Sequence, residues 1–164
     1  MSTGCAVRII SGGQTGVDRG ALRAAIALGV PHGGWCPLGR RAEDSRIPDK
    51  FQLQECDSPD YRVRTERNIQ DADATLILCH DKPSGGTLLT RELAVEHDRP
   101  CLVVDPTNDQ AEGTTRRWLA ANTVQVLNVA GPRESSWPGA AKAAEEFVRR
   151  LLGEQPGSHS GVLC

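Results

Sequence analysis

The chain has 164 residues, of which 38% are hydrophobic and 24% are charged, and its formal net charge at pH 7 is −2. This length and composition are typical of one soluble globular domain, which we expect to span residues 1–152, followed by a disordered Gly/Ser-rich tail over 153–164. The missing basic excess argues against a general nucleic-acid-binding protein, and no apolar run is long enough for a membrane span.

The first segment with a clear pattern predicts a strand, a glycine-rich turn and a helix. A β-branched apolar run at residues 7–10 is typical of a buried strand, and an Ala- and Leu-rich helix is predicted from Ala21. The glycines of the turn let a ligand approach the backbone, and free N–H groups at a helix start attract anions. The turn has neither the dinucleotide nor the P-loop glycine spacing. Its predicted ligand-binding residues are Gly12, Gly13, Gln14, Thr15 and Gly16.

The segment that follows the first helix has weaker signals. A short strand is predicted at residues 32–36, and residues 37–60 form a connection without periodicity that is longer than compact domains normally need. Residues 61–71 predict a strand-to-helix junction in which Thr65 caps a short helix. Three arginines here predict a solvated basic face or, if this segment reaches a ligand, a preference for a polyanion or diphosphate over a single phosphate. They are Arg62, Arg64 and Arg67.

The second half of the chain alternates strands with helices. A continuous apolar run predicts a buried strand at residues 74–79, and a further strand is predicted at 101–104. The alternating pattern at 124–129 predicts a strand nearer to a sheet edge. The predicted helices span residues 88–97, 112–122 and 139–152. Polar, glycine-containing turns follow two of these strands, at 82–87 and 131–138.

The six cysteines and the N-terminus carry no special signal. The cysteines have no paired spacing and form no Cys/His cluster of the zinc type, so we predict no metal site made by side chains. Cys79 and Cys101 lie in apolar runs, and we expect them to be buried thiols in a reducing compartment. The N-terminus lacks the basic start and apolar stretch of a secretory signal. A cytoplasmic location is therefore expected.

Five alternations of strand and helix predict an α/β fold with an open, mostly parallel sheet and helices on both faces. Right-handed crossovers place all strand-to-helix loops at one sheet edge, where such sheets bind their ligands. The loops at residues 12–16, 82–87 and 131–135 are expected to converge there, bringing Lys82 and Arg133 to one cleft. We predict a small anionic ligand: a phosphate, a phosphorylated metabolite or an oxyanion.

Three stretches, SGGQTGVDRGAL, KPSGGTLLTRELA and LNVAGPRES, together resemble the molybdenum cofactor carrier protein family, a circularly permuted YpsA-like family of the SLOG superfamily. The resemblance runs from residue 8 to residue 152. Members are similar to lysine-decarboxylase-like proteins and cytokinin-activating phosphoribohydrolases, which implies a Rossmann-like fold. The resemblance further implies a cytoplasmic homo-oligomer, a dimer or a tetramer, that binds molybdenum cofactor, molybdate or a related oxyanion, with a molybdoenzyme as a candidate client.

The resemblance also implies which residues hold the ligand. The first turn and the loop at residues 84–87 would bind phosphate or oxometalate, and three cations would add positive charge. Besides the first turn, the predicted set consists of Arg19, Lys82, Ser84, Gly85, Gly86, Thr87, Arg133 and Glu134.

Two other functions use the same cleft. The phosphoribohydrolases carry P-G-G-x-G-T-x-x-E, and the stretch at residues 84–92 keeps the two glycines and Glu92 but has Ser84 for the proline and Leu88-Leu89 for G-T. A nucleoside-monophosphate phosphoribohydrolase would use Glu92 and Asp18 as its carboxylates, although an acidic residue in the first turn of a helix stabilises that helix in any case. A nucleotide-sensing module is the third reading. We expect a binding protein with no catalytic residues.

Overall fold

The computed structural model describes residues 7–153, which form nine strands and five helices. In chain order they are β1 (Arg8–Ile10), α1 (Val17–Leu28), β2 (His32–Gly33), β3 (Trp35–Cys36), β4 (Arg41–Ala42), β5 (Ser45–Arg46), β6 (Gln54–Glu55), α2 (Tyr61–Asp71), β7 (Ala74–Leu78), α3 (Gly85–Glu96), β8 (Cys101–Val104), α4 (Ala111–Ala121), β9 (Val126–Ala130) and α5 (Ala140–Leu152). The predicted disordered tail lies, apart from Gly153, outside the described residues.

The main sheet has five strands in the order β2-β1-β9-β7-β8, and every neighbouring pair is parallel. This confirms the predicted α/β fold with an open parallel sheet. Because side chains alternate between the faces of a strand, Ile9, Leu76 and Leu127 enter the core on one face together with Phe147 of α5. Helices α1, α4 and α5 pack over this face, and α2 and α3 pack together on the other.

The prediction that residues 124–129 form a strand near an edge is wrong, because β9 is the central strand. The alternation that suggested an edge has another cause. Asn128 is buried, and its amide Nδ2 donates to the hydroxyl of Thr75 on β7 at 3.2 Å. Two polar side chains therefore satisfy each other inside the sheet, as buried polar groups must.

Residues 61–71 are also corrected by the structure, because the whole segment is the helix α2. Asp60 caps it, since its carboxylate accepts a hydrogen bond from the Arg62 N–H at 2.9 Å. Thr65 is not the cap; its hydroxyl donates to the Tyr61 carbonyl at 2.8 Å within the helix. Two further helices, α1 and α3, begin earlier than predicted, at Val17 and Gly85.

Residues 37–60 fold over the start of α1. Ile47 and Phe51 are buried against Leu22 of α1. The buried guanidinium of Arg40 holds this loop, donating to the carbonyls of Ile47 at 3.1 Å, Pro48 at 2.7 Å and Phe51 at 2.9 Å. A single arginine thus satisfies carbonyls that have no strand partner.

Candidate functional site

One cleft with a volume of about 760 Å³ opens at the carboxyl edge of the main sheet. Its walls come from Gly12 and Gln14 after β1, from residues 80–87 after β7, from the end of β9 and the loop that follows it, and from one side of α2. The parallel order of these strands places their loops side by side. No helix among residues 7–153 is long and apolar enough to cross a membrane.

Eight of the thirteen predicted ligand-binding residues line this cleft, and five do not. The lining residues are Gly12, Gln14, Lys82, Ser84, Gly85, Gly86, Thr87 and Arg133. Five others lie behind the walls because they contact protein groups instead of the cleft. They are Gly13, Thr15, Gly16, Arg19 and Glu134.

Two glycines of the first turn allow protein segments to approach each other. A Cβ at Gly16, which has a φ of +82°, would lie 2.3 Å from the Pro132 carbonyl oxygen, so this turn is in contact with the loop after β9. A Cβ at Gly13, with a φ of +81°, would lie 2.7 Å from Leu53 Cδ1 and 2.9 Å from Ile47 Cδ1. Both positions need glycine for conformation and for space.

Arg19 and Thr15 bind protein groups of the β4–β5 hairpin. The Arg19 guanidinium forms two hydrogen bonds with the Asp44 carboxylate, at 2.6 and 2.8 Å, and a third with the Gly13 carbonyl at 3.0 Å. The Thr15 hydroxyl donates to the carboxylate of Glu43. These two side chains therefore hold the hairpin against the first turn.

Glu134 caps the last helix. Its carboxylate accepts hydrogen bonds from the N–H groups of Gly139 at 2.6 Å and Ala141 at 3.0 Å at the start of α5. Its own N–H donates to the Thr15 hydroxyl at 3.1 Å, which joins the first and third loops. A carboxylate at a helix N-terminus is favourable for the helix itself.

Gln14 and Asp18 form the floor of the cleft beside the first turn. The amide oxygen of Gln14 accepts from the N–H groups of Thr15 at 3.1 Å and Glu43 at 2.9 Å. Its amide nitrogen, Nε2, is buried and has no hydrogen-bond partner within the described part of the chain. Asp18 accepts from the Gln14 N–H at 3.1 Å. Burial raises the pKa of Asp18, and the nearby Arg64 guanidinium offsets part of this effect.

Of the three arginines on α2, only Arg64 lines the cleft. Arg64 is only 8% exposed, and its Nη1 donates to the Gly12 carbonyl at 2.8 Å. Asn68, one turn later, fixes α2 to β3, because it accepts from the Trp35 N–H at 2.8 Å and donates to the Trp35 carbonyl at 3.0 Å. Arg62 is exposed, and the guanidinium of Arg67 lies 4.5 Å from the centre of the Trp35 ring.

The N-terminus of α3 is the most open part of the wall. A Cβ at Gly85 or Gly86 would meet no atom within 4 Å, and Ser84, the capping residue, makes no side-chain hydrogen bond to the helix. The first N–H groups of a helix lack intrahelical partners and lie at its positive end. Lys82 is exposed beside them. Glu92, in contrast, is exposed further along α3 and does not line the cleft.

The third loop contributes a cation and an aromatic wall. Arg133 Nη1 is 3.8 Å from Glu43 Oε1, and hydrogen bonds from Ser135 and Thr15 hold the pKa of Glu43 below its usual range. Trp137 stacks on His80 with ring centres 5.9 Å apart.

His80 is oriented by a carboxylate outside the cleft. Its Nδ1 lies 3.0 Å from Asp105 Oδ2. Burial alone would raise the pKa of Asp105, but hydrogen bonds from Thr107 and from His80 bring it below its usual range. No group of three or more His, Cys, Asp or Glu side chains among residues 7–153 is placed to hold a metal ion.

The sequence reading missed Tyr61, Asn68 and Trp137 as lining residues and left Arg64 undecided. Tyr61, Arg64 and Asn68 recur at helical spacing and so share one face of α2. The sequence therefore contains the pattern that identifies this face, but the pattern can be recognised only if residues 61–71 are predicted to be a helix.

Comparison with known proteins places this geometry in a family. The model of the circularly permutated YpsA SLOG family matches residues 9–152. A crystal structure from Syntrophus aciditrophicus SB, of a protein named "putative molybdenum carrier protein", is 42% identical, covers 90% of this chain and 96% of its own, and superposes with a TM-score of 0.87. No curated protein matches the chain. The chain belongs to the circularly permutated YpsA family of SLOG proteins.

Proposed function

We propose that this protein is a carrier that binds a small anionic ligand in the cleft, and that the ligand is molybdenum cofactor or a molybdate-like oxyanion. The observation that carries the proposal is the open N-terminus of α3. Gly85 and Gly86 leave space for a ligand beside unpartnered backbone N–H groups, and Lys82 lines the same wall. The name of the crystallised relative, a molybdenum carrier, supports a molybdenum-containing ligand.

The carrier is favoured over a phosphoribohydrolase by the position of one carboxylate. Glu92 matches the spacing of the hydrolase glutamate, yet it is exposed on α3 and lies outside the cleft. Asp18 lines the cleft and its pKa is raised, which keeps a hydrolase as the second candidate because perturbed carboxyls are typical of acid–base sites. Release of a free base from nucleoside monophosphates, lost in Asp18→Asn, would establish that second function.

We further propose that residues 1–152 fold as one domain and that the carrier is a cytoplasmic homo-oligomer, a dimer or a tetramer. Two large apolar side chains on the outer side of α3, Leu88 and Val95, are exposed in the single chain. Light scattering of the purified protein measures the oligomer directly.

The test of anion binding compares two nearly isosteric substitutions, Gly86→Asp and Gly86→Asn. A side chain here enters open space, and the φ of Gly86 is outside the left-handed region, so neither variant should disturb the fold. The carboxylate of Gly86→Asp stabilises the helix start but repels an anion, whereas the amide does not.

Thermal melts with molybdate, phosphate and molybdenum cofactor give the readout. A ligand at 100 times its dissociation constant stabilises the wild type by about 2.7 kcal/mol. We expect this shift in the wild type and in Gly86→Asn and not in Gly86→Asp. Equal shifts in the two variants, or no shift with any of these anions, would contradict the proposal.

A further inference from the structure

We propose that the ligand of this cleft carries two separate anionic groups, one at the N-terminus of α3 and the other against a site formed by Arg64, Arg133 and the Nε2 of Gln14, here called the arginine site. The proposal rests on the proposed function, because the α3 end is the anion site argued above. It adds the class of the ligand: an elongated molecule with an anion at each end.

The arginine site concentrates positive charge around one ring. The guanidinium carbons of Arg64 and Arg133 lie 5.2 and 5.6 Å from the centre of the Tyr61 ring. Arg41, which is exposed and does not line the cleft, adds a third guanidinium at 5.2 Å. Each cation gains from the ring, but three like charges this close repel one another. An anion bound among them removes this repulsion.

The carboxylates nearby do not balance these charges. Glu43 lies 3.8 Å from Arg133 and is also bound by the hydroxyls of Thr15 and Ser135. Asp18 also attracts Arg64, although burial raises the pKa of its carboxyl. Because three guanidinium groups face these two carboxylates, we infer a positive potential in this part of the cleft.

Gln14 supplies an independent indication of a ligand. It is only 5% exposed and lines the cleft, and its Nε2 has no partner within residues 7–153. Its amide oxygen is fixed by two backbone N–H groups, which determine the direction of Nε2. A buried amide nitrogen without an acceptor is costly, so a ligand that presents an oxygen there recovers that free energy.

The two anion sites are carried by loops that follow different strands. The arginine site is attached to the end of β1 through the Arg64–Gly12 hydrogen bond, whereas α3 follows β7, two strands away across β9. Neighbouring strands lie roughly 4.8 Å apart, so the ends of β1 and β7 are about 10 Å from each other, and the loop of Arg133 begins between them after β9. On this spacing we expect a phosphate or molybdate ion to occupy one site and a longer ligand to reach both.

A series of α,ω-alkane bisphosphonates with methylene chains of increasing length measures this separation in the full-length protein. Isothermal titration compares each with the monophosphonate of the same chain. Joining two anions makes the second contact intramolecular, so the best bisphosphonate should bind at least about 100-fold more tightly than its monophosphonate. We expect affinity to reach a maximum at the length that spans about 10 Å between phosphorus atoms and then to fall.

Variants assign the two ends. Arg133→Gln, at a partly exposed side chain, and Gln14→Glu, which keeps the amide-oxygen position, should each remove most of the gain from linking. Gly86→Asp should weaken both classes of ligand. Arg62→Gln is the matched control, because Arg62 is exposed on the same helix as Arg64 and does not line the cleft.

The outcomes separate this proposal from the proposed function. Monophosphonate binding that is lost in Gly86→Asp, with no gain for any bisphosphonate, would overturn the arginine site and leave the carrier intact. A gain that survives both Arg133→Gln and Gln14→Glu would also overturn it. No binding of any phosphonate would contradict both.

Discussion

Gly16→Ala tests whether the first and third loops are in contact at the cleft. Gly16 has a φ of +82°, and an added Cβ would lie 2.3 Å from the Pro132 carbonyl oxygen and 2.7 Å from the Glu134 nitrogen. The ψ of Gly16 is −132°, so its backbone lies outside the αL region, and a residue other than glycine costs about 1–3 kcal/mol in such a sparsely populated conformation. Forcing two backbone segments apart adds about 1–3 kcal/mol. Gly16→Ala should therefore destabilise the fold by about 2–6 kcal/mol.

The matched control is Gly29→Ala. Gly29 also has a positive φ, +69°, but a Cβ there meets nothing within 4 Å. Gly29→Ala should therefore lose only the conformational contribution to stability, about 1–2 kcal/mol. Urea unfolding of the wild type and both variants measures the difference in the free energy of unfolding. In thermal melts, a chain of this length should show a Tm lower by roughly 10 °C for Gly16→Ala than for the wild type. Equal losses in the two variants would mean that the loops do not meet at Gly16.

Three other substitutions test separate parts of the account. Asp18→Asn should raise the Tm at neutral pH and have little effect below about pH 4. Burial raises the pKa of Asp18 in the folded state, so the wild type loses stability as the pH rises above the unfolded-state pKa of about 3.9 and through the higher folded-state pKa. A difference in Tm that stays constant across a pH series of melts would contradict this. Arg40→Met should lose on the order of 3 kcal/mol and increase hydrogen exchange at residues 47–53, whereas the exposed Arg46→Met should not. Phe147→Ala should lose about 3–5 kcal/mol in urea unfolding, and a loss under 1 kcal/mol would place Phe147 outside the core.

The sequence predicts the sheet well where a strand is apolar on both faces. The run that became β7 is continuous because helices cover both sides of a parallel sheet, and all five of its residues are buried. The run that became β8 is also apolar, but this strand lies at the sheet edge and its residues are half-buried. The position of β9 was not predictable from its own residues. Its polar Asn128 is satisfied by Thr75, which is 53 residues away in the chain.

Some residues of the candidate site can likewise be predicted from the sequence and others cannot. Gly85 and Gly86 are predicted as ligand-binding residues because the N–H groups at the start of any helix favour an anion. Thr15 and Arg19 have the right chemistry for an anion, but Glu43 and Asp44 bind them instead. Those carboxylates come from a hairpin without periodicity, and no local pattern reveals such long-range pairs. The position of Arg64 in the cleft was not predicted, because residues 61–71 were interpreted as a strand-to-helix junction and not as one helix.

The central claim, an anion at the N-terminus of α3, is tested most directly by a crystal structure of the protein grown with tungstate. Tungsten scatters anomalously and marks its own position. We predict an anomalous peak within hydrogen-bonding distance of the Gly85 and Gly86 N–H groups, beside Lys82, and its loss in crystals of Gly86→Asp. A peak elsewhere on the molecule, with none in the cleft, would contradict the account.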